Sequence, residues 1–183
     1  TFAKILKFLM ATYTTEIASD KLISDNPIHQ RLLKAYLAAK PWITGDLLEI
    51  GCGEGRGVGE LVPLAASYLG LDKIHEVIQT LQKKYPGISF EQAVIPPFTR
   101  IGDETFDTIV SFQVIEHIQQ DRLFLQEIYR MLKPGGKAII STPNNTHTLS
   151  RNPWHEREYV PQQLIDLANS IFDRVEAKGI GGN

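Results

Sequence analysis

The sequence predicts an α/β fold, a mostly parallel sheet with helices on both faces. Three observations carry this. Short apolar segments of strand length alternate with segments whose apolar residues recur at helical spacing. A glycine-dense turn, Gly51-Cys52-Gly53-Glu54-Gly55-Arg56-Gly57, stands where the first strand hands over to the next helix. Proline and glycine clusters separate the later segments, as at Pro86-Gly87, Pro96-Pro97 and Pro134-Gly135-Gly136. Such alternation buries a parallel sheet on both sides. Ligands of these sheets sit at the carboxyl ends of the strands, near the point where strand order reverses.

Taken in order, Phe2 to Tyr13 is apolar at Phe2, Ile5, Leu6 and Leu9, a helical spacing that suits a cap packed on the domain. Ile28, Leu32, Leu33, Tyr36 and Leu37 give Pro27 to Ala39 a helical face, broken by Pro41 and Gly45. Residues 1–40 are therefore expected to form an N-terminal helical cap and residues 41–183 the α/β domain. Asp46 to Ile50 reads as the first strand, and Gly57 to Ala66 as a helix that Pro63 should bend or shorten. Tyr68 to Asp72 is the second strand, Lys73 to Tyr85 the second helix, Ile88 to Ala93 the third strand and Phe106 to Phe112 the fourth. Asp121 can cap a helix running to Leu132, with Leu125, Ile128 and Leu132 on one face. Pro134-Gly135-Gly136 should end it, before a fifth strand from Lys137 to Thr142, a helix from Gln162 to Ser170 and a sixth strand from Phe172 to Ala177.

Composition narrows the class. A chain of 183 residues suits one domain with a real core. A net charge of −2 exerts no global pull on nucleic acid or anionic membrane. The single cysteine, Cys52, excludes an internal disulfide framework and fits a reducing cytoplasm, the expected location. No apolar run is long enough to span a bilayer, and no secretory signal is evident.

The glycine turn can be tested against the dinucleotide fingerprint, which needs glycines at i, i+2 and i+5. From Gly51, Gly53 and Gly55 the last position falls on Arg56, Val58 and Glu60, so no register fits. Glu49, just before the turn, would repel a pyrophosphate and suits a ligand that carries positive charge. The run Glu49-Ile50-Gly51-Cys52-Gly53-Glu54-Gly55 resembles motif I of the class I S-adenosylmethionine (SAM) methyltransferases, an acidic residue followed by x-G-x-G-x-G. Phe106-Asp107-Thr108-Ile109-Val110 followed by Glu116-His117 resembles their FD-x-V…EH region, and Leu132-Lys133-Pro134-Gly135-Gly136 their L-K-P-G-G turn. The blocks stand in family order and cover most of the chain. The fold this implies is the Rossmann-like three-layer αβα sandwich.

The resemblance implies a set of cofactor contacts. Gly51 and Gly53, with Cys52 between them as a small loop residue, would approach the methionine and ribose parts of SAM, and Glu49 would help hold the amino-acid end, directly or through water. Asp72, with Lys73 beside it, would take the ribose hydroxyls, in preference to the other role open to it, capping the following helix. Phe112 and Gln113 match positions lining the adenosine and methionine region. Gln92-Ala93 stands where the family often has Asp-Ala against the adenine amino group, a bond that a Gln oxygen can still accept. Arg31, in a segment similar to one upstream of motif I in ubiquinone-biosynthesis O-methyltransferases, would reach the SAM carboxylate or else be a solvated helix residue.

SAM and its product S-adenosylhomocysteine (SAH) are thus the expected cofactor pair, and methyl transfer the expected reaction. Oxygen acceptors must lose a proton, and His117 and His155 are placed to take it. Asn152-Pro153-Trp154-His155-Glu156-Arg157-Glu158-Tyr159 resembles a segment of type 11-like methyltransferases, many of them associated with glycans. The acceptor is expected to be a small molecule, a glycan or a quinone precursor; nucleic acid is disfavoured. Some relatives ligate a divalent ion through E-x-x-E-H and a later His. Here Gln113 replaces the first acid, so no metal is expected, although Glu116, His117 and His155 retain ligating groups. The alternatives are a catalytically silent SAM-fold subunit and a metal-assisted RNA 3′-end methyltransferase. The family usually adds one more, antiparallel strand, for which no candidate is seen, so a truncated sequence or an unusual sheet edge is expected and the oligomeric state stays open.

Overall fold

The computed structural model describes residues 27–147 and 154–180. The expected cap segment Phe2–Tyr13, the side chain of Arg31 and the pair Asn152-Pro153 lie outside the described residues. Helix α1 (Pro27–Ala39) leads through a 3₁₀ turn to strand β1 (Asp46–Ile50). There follow α2 (Val58–Leu61), β2 (Ser67–Asp72), α3 (His75–Lys84), β3 (Ser89–Gln92), β4 (Phe106–Phe112), α4 (Asp121–Met131), β5 (Leu132–Ser141) and α5 (Pro161–Asn169).

The five strands form one sheet in the order β3-β2-β1-β4-β5, every pair parallel. Strand order reverses between β1 and β4, so their carboxyl ends, Ile50 and Phe112, flank the crevice expected of such a sheet. The central strands are buried on both sides, which explains why Leu47-Leu48-Glu49-Ile50 is buried throughout instead of alternating. Leu47, Val110 and Phe112 face one core with Ala35, Tyr36 and Ala39 of α1, Leu61 of α2 and Ile78 and Leu81 of α3. Leu48, Ile50 and Ile109 face the other, with Phe124, Leu125 and Ile128 of α4 and Leu164 and Leu167 of α5 beside them.

Several boundaries differ from expectation. The helix after the glycine turn shortens to one turn, because Pro63 tightens Val62–Leu64 into a 3₁₀ turn. Asp121 is not the cap of α4 but its first residue; Gln120 stands at the cap, and Oδ2 of Asp121 instead accepts from Arg157 Nη1 (2.8 Å) and the Tyr159 hydroxyl (2.9 Å). Pro134-Gly135-Gly136 lies inside β5 as a loop-out. Leu132 pairs with Phe106 and Lys137 with Thr108, so the intervening residues bulge from the ladder, with Gly135 at φ 80°. The expected sixth strand at Phe172–Ala177 is not formed: those residues carry no ladder, because no strand lies beside them among the described residues. No described helix is long and apolar enough to cross a membrane.

Candidate cofactor and acceptor site

The glycine turn opens at the end of β1. The N–H groups of Gly51 and Cys52 both donate to the Leu71 carbonyl of β2 (2.8 and 3.0 Å), which folds the turn over the sheet end. Gly51 takes φ 78°, and a Cβ there would collide with Val114 from the loop after β4. That glycine serves the contact between two crevice loops as much as any ligand. Asp72, at the end of β2, draws the same turn in: its Oδ2 accepts from Gly53 N–H (2.9 Å) and its Oδ1 from Ile74 N–H (3.0 Å).

Between these loops lies a cavity of about 290 Å³. Gly51, Cys52, Gly53, Asp72 and Lys73 line one side, and Phe112, Gln113, Glu116, His117 and His155 the other. Burial pushes the Cys52 thiol well up, and the nearby Glu49 and Asp72 charges add to this, which makes it an inert wall residue. Gln113 adopts φ 57°, rare for a side-chain-bearing residue, at the exit of β4, where its N–H donates to Ser141 O (2.9 Å).

Three expected contacts stand elsewhere. Glu49 does not line the cavity. It is 1% exposed behind the turn, with Oε1 accepting from the Tyr36 hydroxyl (2.6 Å) and Oε2 from that of Tyr68 (2.5 Å). The alternation of β1 dictates this, since Glu49 shares the face of Leu47 and points under α1. Gln92 and Ala93 line a second cavity of about 200 Å³, which shares Val94 with the first. The Gln92 amide is engaged, receiving His75 Nδ1–H on Oε1 (3.1 Å) and donating to Lys73 O (3.0 Å).

At the open end, Glu116, His117 and His155 bring one ligating atom each to within 4.8 Å of one another. Glu116 follows β4 in a 3₁₀ turn, where its carboxylate accepts from the Thr142 hydroxyl (3.0 Å). Burial pushes its carboxyl up to about 7, with the Glu158 charge adding to the rise. Nδ1 of His117 donates to the Trp154 carbonyl (2.8 Å), and Nδ1 of His155 to Glu158 Oε1 (3.0 Å). Each bond fixes Nδ1 as a protonated nitrogen of its ring. The His155 loop is held by Arg157 N–H on Glu116 O (3.1 Å) and by Tyr159 and Arg157 on Asp121.

Tyr36, Val94 and Ile118 also line the cavity, and Glu158 orients His155. Tyr36 was visible only as one apolar position of a helix, and Glu158 as part of a loop motif. No local pattern marks either as part of the site.

The family profile described as methyltransferase domain matches residues 48–140. The chain belongs to that family, whose class I fold the sheet reproduces. A Mycolicibacterium smegmatis protein named as an S-adenosylmethionine-dependent methyltransferase is 34% identical over 72% of this chain and 52% of its own length. The human mitochondrial ubiquinone biosynthesis O-methyltransferase is 33% identical over 69% of this chain and 34% of its own. The chain thus spans about half of the first of these relatives and about a third of the second. Among solved structures, a SAM-dependent methyltransferase from Archaeoglobus fulgidus superposes with a TM-score of 0.65 at 20% identity, covering 77% of this chain and 68% of that one, which speaks for the fold alone.

Proposed function

We propose that this chain binds S-adenosylmethionine in the crevice between β1 and β4 and transfers its methyl group to an acceptor hydroxyl presented to His155 and His117. The observation that supports this most directly is the cavity itself. It joins the glycine turn and Asp72 on one side to two histidines anchored through Nδ1 on the other. SAM supplies, when bound, a methyl group already activated on a sulfonium.

The protein's work is alignment, water exclusion and proton removal. Each Asp72 oxygen accepts one backbone N–H, which leaves further lone pairs for ribose hydroxyls. Phe112, with Tyr36 edge-on against it (4.8 Å between centroids), offers an apolar surface. His155 is backed by a carboxylate and His117 by a neutral carbonyl, so His155 is the better base for the hydroxyl proton. Hydroxylated small molecules, including phenolic quinone precursors and sugars, are the acceptor classes proposed.

A second reading adds a divalent cation at Glu116, His117 and His155. One observation favours it: three ligating atoms of mixed N and O type converge while each Nδ1–H is already anchored, the outer-sphere pattern typical of ligating histidines. Those three residues would hold the ion, which would polarise the acceptor oxygen.

Calorimetric titration with SAM and SAH tests the cofactor reading, followed by transfer of labelled methyl from SAM to a panel of catechols, phenolic acids and sugars. Micromolar SAH binding with label on an oxygen is the expected result. Failure to bind SAM or SAH would overturn the reading, and binding without transfer across the panel would favour a silent SAM-fold subunit.

A further inference from the structure

Glu49 is a buried carboxylate beneath the cofactor turn. Its two oxygens are claimed by two phenols that come from different places. Tyr68 lies within β2 and is fixed by the sheet ladder opposite Leu47 of β1. Tyr36 lies on α1 and lines the cofactor cavity, packing edge-on against Phe112 at its wall. The Tyr36 hydroxyl is therefore a polar tie between the described face of α1 and the sheet, buried where water cannot replace it. The next tie along the chain, Lys40 to Glu60 (2.8 Å), is partly exposed and correspondingly weak.

The last glycine of the turn fits this arrangement. A Cβ on Gly57 would collide with the Tyr36 ring and come within 2.8 Å of both Glu49 oxygens. Its lack of a side chain lets the phenol reach the carboxylate.

We infer that Glu49 is a positioning residue, and that the Tyr36–Glu49 hydrogen bond latches α1 as a wall of the cavity and so sets SAM affinity without touching the cofactor. The inference rests on the SAM reading above, and it assigns the acidic residue before the glycine turn a role in the wall in place of a ligand contact. The latch acts on binding through order: if α1 is held in place beforehand, the ligand does not have to order it on arrival.

The test uses Tyr36→Phe, Tyr68→Phe and Glu49→Gln with SAH titrated by calorimetry, alongside hydrogen exchange of residues 32–39 in the ligand-free proteins. Tyr36→Phe keeps the ring but frees α1; it should weaken SAH about tenfold, the value of one buried hydrogen bond, and speed exchange in α1. Tyr68→Phe removes a bond to the same carboxylate but frees no wall, so its SAH affinity should stay within about twofold. The double variant Tyr36→Phe/Glu49→Gln should lose no more than the worse single one. Additive losses would mean that the Tyr36 hydroxyl meets the ligand directly, and would overturn the latch. Equal losses in Tyr36→Phe and Tyr68→Phe would also overturn it, as would unchanged exchange in α1. If the wild-type protein binds no SAH, the cofactor reading fails, while the exchange comparison still decides whether α1 is latched.

Discussion

The imidazoles of His117 and His155 stand edge to face with ring centroids 4.9 Å apart, one anchored by the Trp154 carbonyl and the other by the Glu158 carboxylate. Two chemically identical groups thus receive unequal support. The backing group fixes which nitrogen keeps its proton, and a carboxylate strengthens the opposite nitrogen more than a carbonyl does.

His155→Ala should therefore lower kcat by about two to four orders of magnitude, the range for loss of a general base, while His117→Ala costs less. Glu158→Gln should lower kcat with little change in KM, because the amide still fills the space but no longer enforces one tautomer. SAH affinity should stay within about threefold in all three, since the cofactor side of the cavity is untouched. Kinetics with the acceptor found by screening would check this; equal kcat losses at His117 and His155 would remove the asymmetry.

The metal reading makes a separate prediction. Mn²⁺ titrated into the protein should bind with one-to-one stoichiometry, and His155→Ala or Glu116→Gln should abolish binding, because two remaining donors make a poor site. Activity should fall with EDTA and return with Mn²⁺. Activity unaffected by EDTA, with no calorimetric signal for Mn²⁺, would leave the histidines as proton acceptors alone.

The sheet was legible because its signals are local: apolar runs of strand length, a glycine turn and a downstream carboxylate at Asp72. The lining of the candidate cavity was legible where a residue reaches the crevice from a strand end, as with Gly51, Gly53, Asp72, Phe112 and Gln113. Glu49 was misplaced because motif resemblance carries no information about which side of β1 faces α1. Tyr36, the partner that decides the matter, lies in another helix. Glu158 was not singled out because its meaning depends on a contact with His155 across a folded loop. The sixth strand failed for a related reason: a β-prone run becomes a strand only when a neighbour accepts its backbone bonds.

At the opposite end of the sheet, Lys133 projects from the β5 loop-out and bridges Asp46 Oδ2 (2.7 Å) and Asp107 Oδ2 (2.8 Å), joining the amino ends of β1 and β4. Hydrogen bonds to this ammonium hold both carboxyls below their ordinary range. Lys133→Met should leave two carboxylates facing each other, lower Tm and reduce tolerance to acid less than it reduces stability at neutral pH. The sign follows from the lowered pKa values: the stabilisation is present above the unfolded value near 3.8 and is lost as pH falls below it. SAH affinity should not change, because the bridge lies at the far end of the strands from the crevice. Thermal melts at pH 3.5 and 7 check the first part and calorimetry the second.

Glu49 gives the opposite sign. Burial is the largest influence on its carboxyl; the Tyr36 and Tyr68 hydrogen bonds oppose it and the Asp72 charge adds to it, leaving the group at about 7 against an ordinary value near 4.5. Between those values the folded protein holds a proton that the unfolded chain has released, so stability falls as pH rises through the window and levels off above it. At 1.36 kcal/mol per unit the total fall across the window amounts to roughly 3 kcal/mol. Glu49→Gln cannot titrate and should lack it. The difference in unfolding free energy between wild type and Glu49→Gln should therefore shrink by about that amount from pH 5 to pH 8, read from denaturant midpoints at constant m-value. Parallel pH profiles for the two proteins would show that the folded protein keeps Glu49 ionised throughout, with both phenols donating strongly enough to overcome its burial.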